Sequence, residues 1–169
     1  MKTNITFLCQ VDSLAKSTAQ KVADKLDLYY ADVDDFLAFN LTSPKDEIIN
    51  TCGIEYLQKL EKDSIKTVAS FENSIISVAI KYFMVAESRH ALKDSSMIVY
   101  LKCPRKAFDK YVLGLKDEPK KLELGNQKAV FDDYDKMCTR SSDIIIELKD
   151  FNEKGAYKKA LKVINNYFK

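Results

Sequence analysis

Glycine is scarce in this chain. It has four (Gly53, Gly114, Gly125, Gly155) where average usage of about 7% would give about twelve, and none precedes position 53. That excludes an intact glycine-rich phosphate loop from the N-terminal third. Arginine is scarcer still: Arg89, Arg105 and Arg140 are the only three, so 24 of the 27 basic residues are lysines. Little remains for the planar, two-pronged clamps that recognise carboxylates and phosphates. The four cysteines (9, 52, 103, 138) lie 43, 51 and 35 residues apart, which suits neither paired zinc ligands nor a small disulfide scaffold. Their thiols are expected to be reduced, in the cytoplasm. No apolar run approaches the roughly 18 residues of a membrane span, and Ile5 to Cys9 is too short for a signal-peptide core. With 27 basic against 25 acidic side chains the net charge is +2, which leaves no electrostatic footprint for nucleic acid or a membrane surface.

What is present reads as one soluble domain over 1–169. The hydrophobic fraction is 46% and the charged fraction 31%, and a chain of this length removes roughly 70% of its unfolded surface from water. Asn4–Cys9 reads as a buried strand. Ala19, Val22, Ala23 and Leu26 then recur at helical spacing. Leu28–Ala31 is a second strand, followed by an acidic helix start at Asp32–Asp35. Ser43-Pro44 reads as a helix start, with a side-chain oxygen at the cap and proline in the first turn. Gly53 separates that short helix from a longer one over Glu55–Phe71. Strands follow at Ile75–Ala79, Ser96–Lys102 and Asp143–Leu148, all apolar enough to be covered on both faces. A helix over Phe83–Leu92 carries the only histidine, His90, as a surface residue. Another follows Pro104. A lysine-rich stretch punctuated by Gly114, Pro119 and Gly125 reads as a mobile flap, and a helix covers Lys128–Thr139. The last helix aligns Ala156, Tyr157, Ala160, Leu161, Ile164 and Phe168. Strands alternating with helices predict an α/β domain: a five-stranded parallel sheet flanked by helices on both faces.

Sites in such sheets lie at the carboxyl ends of the strands. The segment after the first strand, Gln10-Val-Asp-Ser-Leu-Ala-Lys16-Ser17-Thr18, has the layout of a Walker-type phosphate loop: six loop residues, then Lys-Ser opening a helix. Gln10 and Ala15 stand at its two glycines, and Ser13 where a third is common. The missing glycines matter because such a loop wraps a phosphate in successive N–H groups, which needs positive φ and no intervening Cβ. Each non-glycine residue in the left-handed region costs about 1–2 kcal/mol. Asp12, about 5 Å from a phosphate charge at an effective dielectric near 20, would repel it by on the order of 3 kcal/mol unless it points outward. Lys16 in a first helical turn opposes the helix dipole by about 0.3–1 kcal/mol. It reads either as a solvated lysine or as the relic of a phosphate site.

The whole chain resembles the shikimate kinase family, a P-loop group of small-molecule kinases. Leu26-Asp-Leu-Tyr-Tyr-Ala-Asp32-Val-Asp34-Asp35-Phe-Leu37 is similar to that family's second strand and D-T-D segment. Gly53-Ile-Glu-Tyr-Leu-Gln58-Lys-Leu-Glu61 is similar to its G-E-x-x-F-R-x-x-E helix. Ala79-Ile80-Lys81 falls on its G-G-G, Val99–Pro104 on its fourth strand, and residues 113–126 on its lid. Phe131 through Glu147 resembles its R-P-x-Y helix and last strand. The resemblance implies ATP and Mg²⁺ as cofactors if the protein is active, and shikimate or another small acid as ligand. It implies phosphate contacts from Ser13, Ala15, Lys16, Ser17 and Thr18, metal contacts from Ser17 and Asp32, and catalytic roles for Lys16 and Asp34. Substrate contacts fall on Asp34, Gln58, Lys81 and Asp135.

Several of these positions break the family pattern. Gln58 and Asp135 stand where substrate arginines belong, and Glu118 where the lid arginine belongs. Phosphoryl transfer depends on positioning and on neutralising the transferred charge, and one lost donor costs roughly 2.7–4 kcal/mol. Lys120, Lys121, Lys81 and Arg140 are the available replacements, the first two equally at home in a solvated loop. For Asp32 and Asp34 the ligand-free alternative is helix capping. The leading expectation is a catalytically impaired pseudo-kinase or binding module, with room for a protein partner or for no cofactor at all. The alternatives are a divergent active kinase, and a protein that binds nucleotide or polyphosphate through Lys16 without transfer.

Overall fold

The computed structural model describes residues 2–167. Five strands, β1 (Asn4–Cys9), β2 (Tyr29–Asp32), β3 (Ser74–Ser77), β4 (Ser96–Lys102) and β5 (Ile144–Glu147), form one sheet in the order β2-β3-β1-β4-β5, with every neighbouring pair parallel. Ten α-helices lie among the described residues. They are α1 (Asp12–Leu26), α2 (Val33–Asn40), α3 (Lys45–Cys52), α4 (Ile54–Ala69), α5 (Ile80–Met84), α6 (Ala86–Ser95), α7 (Arg105–Leu113), α8 (Glu118–Gln127), α9 (Phe131–Ser141) and α10 (Glu153–Tyr167). No helix of the described residues is long and apolar enough to cross a membrane.

The strand period of two splits the core into two layers. Ile5, Phe7 and Cys9 of β1 pack with Val99 and Leu101 of β4 beneath α1, α7 and α10. Leu8, Ile76, Ile98 and Tyr100 face the opposite layer, with Ile65 and Val68 of α4, Phe83 of α5 and Leu92 of α6. The α1 stripe of Ala19, Val22 and Ala23 meets Ala156, Ala160 and Ile164 of α10, all buried. Phe168 of the expected last stripe lies outside the described residues. Small residues on both helices let their axes approach closely beside the central strand.

Several boundaries differ from expectation for local reasons. Pro44 itself occupies the cap position of α3 and no side-chain oxygen caps that helix. The third strand ends at Ser77 rather than Ala79, because the chain turns there into α5. The expected Phe83–Leu92 helix is two helices, α5 and α6, with extended Val85 between them. His90 is exposed on α6. The strand β5 is an edge: Ile145 and Glu147 are exposed and only Ile146 is buried, so it is not covered on both faces. The presumed flap carries a helix, α8, started by Asp117, whose carboxylate accepts from the Lys120 N–H at 2.9 Å, with proline in its first turn.

The connection from β1 leads away to β2, and the one from β3 crosses back over β1 to β4. The winding therefore reverses at β1. The crevice at its carboxyl end, where Gln10 lies, is the natural binding position.

Gly53 and Gly125 should respond oppositely to alanine. Gly53 joins α3 to α4 at φ +87° and ψ 159°, a region essentially reserved for glycine. Gly53→Ala should cost about 1–3 kcal/mol although no atom lies within 4 Å of its would-be Cβ. Gly125 sits inside α8 with open space around it, so Gly125→Ala should stabilise by about 0.5–1 kcal/mol. Urea midpoints of both variants measure the two signs.

Candidate functional site

At the end of β1 the expected six-residue loop does not form. The helix α1 begins at Asp12, four residues before Lys16, and the Leu14 N–H donates to the Val11 carbonyl at 2.9 Å. Only Gln10 and Val11 separate strand from helix. With no glycine to hold positive φ, Asp12 through Ala15 coil into the first turn. Their N–H groups point along the helix axis instead of curling round an anion. Ala15 and Thr18 are fully buried, and the Thr18 hydroxyl has no hydrogen-bond partner. Both belong to the packed side of α1 and present nothing to the crevice.

Asp12 does not point outward. Its Oδ1 accepts from the Ile80 N–H at 2.8 Å, tying the head of α1 to the head of α5. Burial pushes its carboxyl up to about 7; the Ile80 hydrogen bond works against that rise, and the nearby Asp34 and Glu123 charges add to it. Gln10, also fully buried, fills the place of the first motif glycine. Its Nε2 donates to the Phe131 carbonyl at 2.9 Å, and its Oε1 and backbone carbonyl accept from Gln127 Nε2 at 2.7 and 2.8 Å. The Ser13 hydroxyl accepts from Lys120 Nζ at 3.3 Å. The helix α8 is thus bonded down onto the head of α1.

Lys16 reaches sideways to α2. Its Nζ lies 2.6 Å from Asp35 Oδ1 and 3.6 Å from Asp32 Oδ1. Burial lowers its pKa, but the Asp35 hydrogen bond and the Asp32 charge outweigh that and hold it above its ordinary value. Asp32 caps α2 by accepting from the Asp35 N–H at 2.9 Å, and its other oxygen accepts from the Ser77 hydroxyl. Ser17 faces Glu153 of α10, whose carboxyl is held below its usual range by Lys21 and then by Ser17. Both oxygens of Asp32 are therefore engaged within the chain. No group of three or more His, Cys, Asp or Glu side chains suited to a metal occurs among the described residues. In this arrangement Lys16 and Asp32 are turned to partners within the chain, where a Mg²⁺–triphosphate would need them free.

On the other side of α5 the chain assembles a cluster that sequence reasoning missed. The Tyr82 hydroxyl lies 2.9 Å from Asp34 Oδ1 and 3.2 Å from Glu61 Oε1. Lys45 Nζ lies 3.4 Å from Asp34, 3.9 Å from Glu61 and 3.4 Å from the Tyr82 oxygen. One phenolic proton cannot be donated to two carboxylates at once, so the Lys45 ammonium is needed to hold both anions. Burial and then the two carboxylates raise the Tyr82 pKa strongly. Beside the cluster is a cleft of about 360 Å³ lined by Gln58, Glu61, Lys81 and Tyr82, floored by Ile65 and Val85. Gln58 and Lys81 are therefore brought together. Asp135 is not among its lining: it accepts from Tyr100 at 2.9 Å and lies 3.4 Å from Lys102, beside β4. Glu118 and Arg140 are exposed. Tyr82 and Lys45 gave no signal, because neither falls within a motif and they reach Asp34 from two different helices, α5 and α3.

The parallel sheet in this strand order, flanked by helices, defines a P-loop kinase fold. A model of the family described as shikimate kinase matches residues 14–165, and the chain belongs to that family. The match begins after Gln10–Ser13. No curated protein sequence matches the chain. Shikimate kinase from Aquifex aeolicus superposes with a TM-score of 0.74 at 20% identity, covering 97% of both chains. Shikimate kinase from Acinetobacter baumannii, solved in complex with shikimate, gives 0.71 at 18% identity, covering 100% of this chain and 97% of its own. Dephospho-CoA kinase from Campylobacter jejuni gives 0.61 at 14% identity over 99% of this chain and 98% of its own. At these identities the structural likeness carries the fold.

The Asp12 carboxyl supplies a pH signature. A carboxyl raised from 3.8 to about 7 on folding makes the folded state bind the extra proton, so its contribution to stability falls as pH rises through that interval. Asp12→Asn keeps an acceptor for the Ile80 N–H and removes the charge. It should leave stability unchanged near pH 4 and raise it by about 1–2 kcal/mol at pH 8 after allowance for solvent screening. Urea unfolding of both proteins at the two pH values reads the difference, and equal gains at both would refute the assignment.

Proposed function

We propose that this chain is a shikimate-kinase-family protein that has lost efficient phosphoryl transfer and works as a binding module. The observation that carries the reading is the start of α1 at Asp12, which replaces the phosphate-wrapping loop by a helical turn. Supporting it, Lys16 is held by Asp35 and Asp32, and Ser17 is turned to Glu153. Gln58 and Asp135 stand at the arginine positions of the resemblance. Several lost donors at roughly 2.7–4 kcal/mol each bring turnover close to background.

Binding capacity remains. A cleft of about 740 Å³ lies beyond the carboxyl ends of β4 and β5 between α7 and the segment Lys149–Asn152. Its wall is mostly apolar, with Tyr111 and Phe151, and Lys106, Lys110 and Lys149 line it. That combination favours a small anion with a flat apolar body, a nucleotide among them. It also favours nucleotide binding without transfer, through these lysines instead of Lys16. The second reading is a divergent active kinase using ATP and Mg²⁺ on shikimate or a similar small hydroxy acid. The cleft of Gln58, Lys81 and Tyr82 beside Asp34 speaks for it. Cys9, Cys103 and Cys138 are buried free thiols and Cys52 an exposed one, in keeping with a reducing, cytoplasmic setting.

Thermal shift and ADP release test this directly. With MgATP at a hundredfold excess over Kd, any site stabilises by about 2.7 kcal/mol. The expected result is no ADP above the protein-free rate, with or without shikimate. Any MgATP-induced shift should survive Lys16→Ala and be lost on combined Lys110→Ala and Lys149→Ala. ADP release that shikimate stimulates would overturn the proposal.

A further inference from the structure

Four donors around the head of α1 are already satisfied from within the chain. The Ile80 N–H is taken by Asp12, the Gln127 amide by Gln10, the Lys120 ammonium by Ser13, and the Lys16 ammonium by Asp35 and Asp32. Two of these contacts involve α8. A third contact of the same junction runs from Gln10 Nε2 to the Phe131 carbonyl just past α8. Leu124 of α8 is buried in the same apolar layer as Phe131, Phe108 and Val11. The helix α8 is therefore fastened to the crevice by a half-buried amide–amide pair and an apolar anchor.

We infer that the head of α1 is its own ligand: Gln10 and Asp12 occupy the donors an incoming anion would use, and Gln10 straps α8 shut over the crevice without any bound molecule. Gln10 is suited to this because an amide carries both acceptor and donor groups. It accepts from Gln127 on α8 and donates to the chain entering α9, bridging both ends of that connection at once. A glycine at this position would keep only the backbone-carbonyl bond to Gln127 and lose the other two. Asp12 completes the closure by drawing α5 against α1, so the crevice is narrowed from two sides. The docked helix is thus a resting state. The inference goes beyond the loss of transfer, since a strapped α8 could accompany either slow turnover or none, and its test uses no turnover measurement.

Backbone hydrogen exchange on the full chain without ligand decides the matter. Amides of residues 122–127 should exchange at least about tenfold slower than in an unstructured peptide, and 5 mM MgATP, a test concentration of roughly saturating order for a millimolar site, should slow them by less than about twofold further. Gln127→Ala removes both bonds to Gln10 from the half-buried side and should speed exchange in 122–127 by about tenfold, with the amides of β1 and β4 unchanged. Gln10→Ala, which empties a buried position, should do the same if it folds, and Gln127→Ala stands alone if it does not. Unprotected α8 amides in the unmodified protein would overturn the inference. So would unchanged exchange in Gln127→Ala, or protection by MgATP exceeding about tenfold.

Discussion

The contact between the Asp12 carboxylate and the Ile80 N–H is the constraint on which the site depends. It joins the first turn of α1 to the first turn of α5, two elements that leave neighbouring strands of the sheet. The Asp12 oxygen accepts one of the donors that the head of α5 would otherwise leave open, so this side chain settles where α5 is placed. Two residues further on, Tyr82 is delivered to Asp34 and Glu61. The same contact therefore closes the phosphate side and builds the cluster on the other side.

Charge neutrality is reached locally by pairing. Lys16 answers Asp35 and Asp32, Lys45 answers Asp34 and Glu61, and Lys102 answers Asp135. These are lysine pairs, mostly half-exposed, and such pairs contribute at most about 1 kcal/mol each. They matter less as stabilisation than as occupancy. An ammonium already at 2.6 Å from a carboxylate must surrender that partner before it can take a phosphate. The three lysines of the large cleft, Lys106, Lys110 and Lys149, have no such partner among the ion pairs of the described residues. The groove beyond β4 and β5 therefore carries lysines outside those ion pairs, beside Asp150.

Most of the fold was legible because it rests on strong local signals. Asn4–Cys9 and Ser96–Lys102 match β1 and β4 to the residue, since both are central, buried on two faces and rich in β-branched residues. Edge strands were read less well: Ile144 and Ile145 look like core in the sequence, but lying at the rim leaves them partly in water. The capping of α2 by Asp32 was legible from residue type alone. The start of α1 was not. A loop was expected from the likeness to a glycine-rich motif, whereas Asp-Ser-Leu-Ala is an ordinary helix-opening sequence and behaves as one. The Tyr82–Lys45 cluster was invisible because its members come from four separate elements, and only tertiary contact unites them.

The scarcity of glycine and the scarcity of arginine are linked through this helix start. Glycine in a helical turn costs about 0.5–1 kcal/mol relative to alanine, so two or three glycines after β1 would hold the loop open. Replacing them by Gln10, Ser13 and Ala15 removes that barrier and lets the helix run back to Asp12. Once the turn has wound, no anion cradle exists, and arginines aimed at phosphate or carboxylate would be unpaired cations facing a closed crevice. Gln58 and Asp135 at those positions avoid that cost, and Asp135 gains Tyr100 and Lys102 as partners. The family's sheet and helices persist because their two apolar layers never touched the chemistry. On the proposed function, the Asp12 carboxyl at the rim of β1 stands as a covalently attached group where a bound anion would lie.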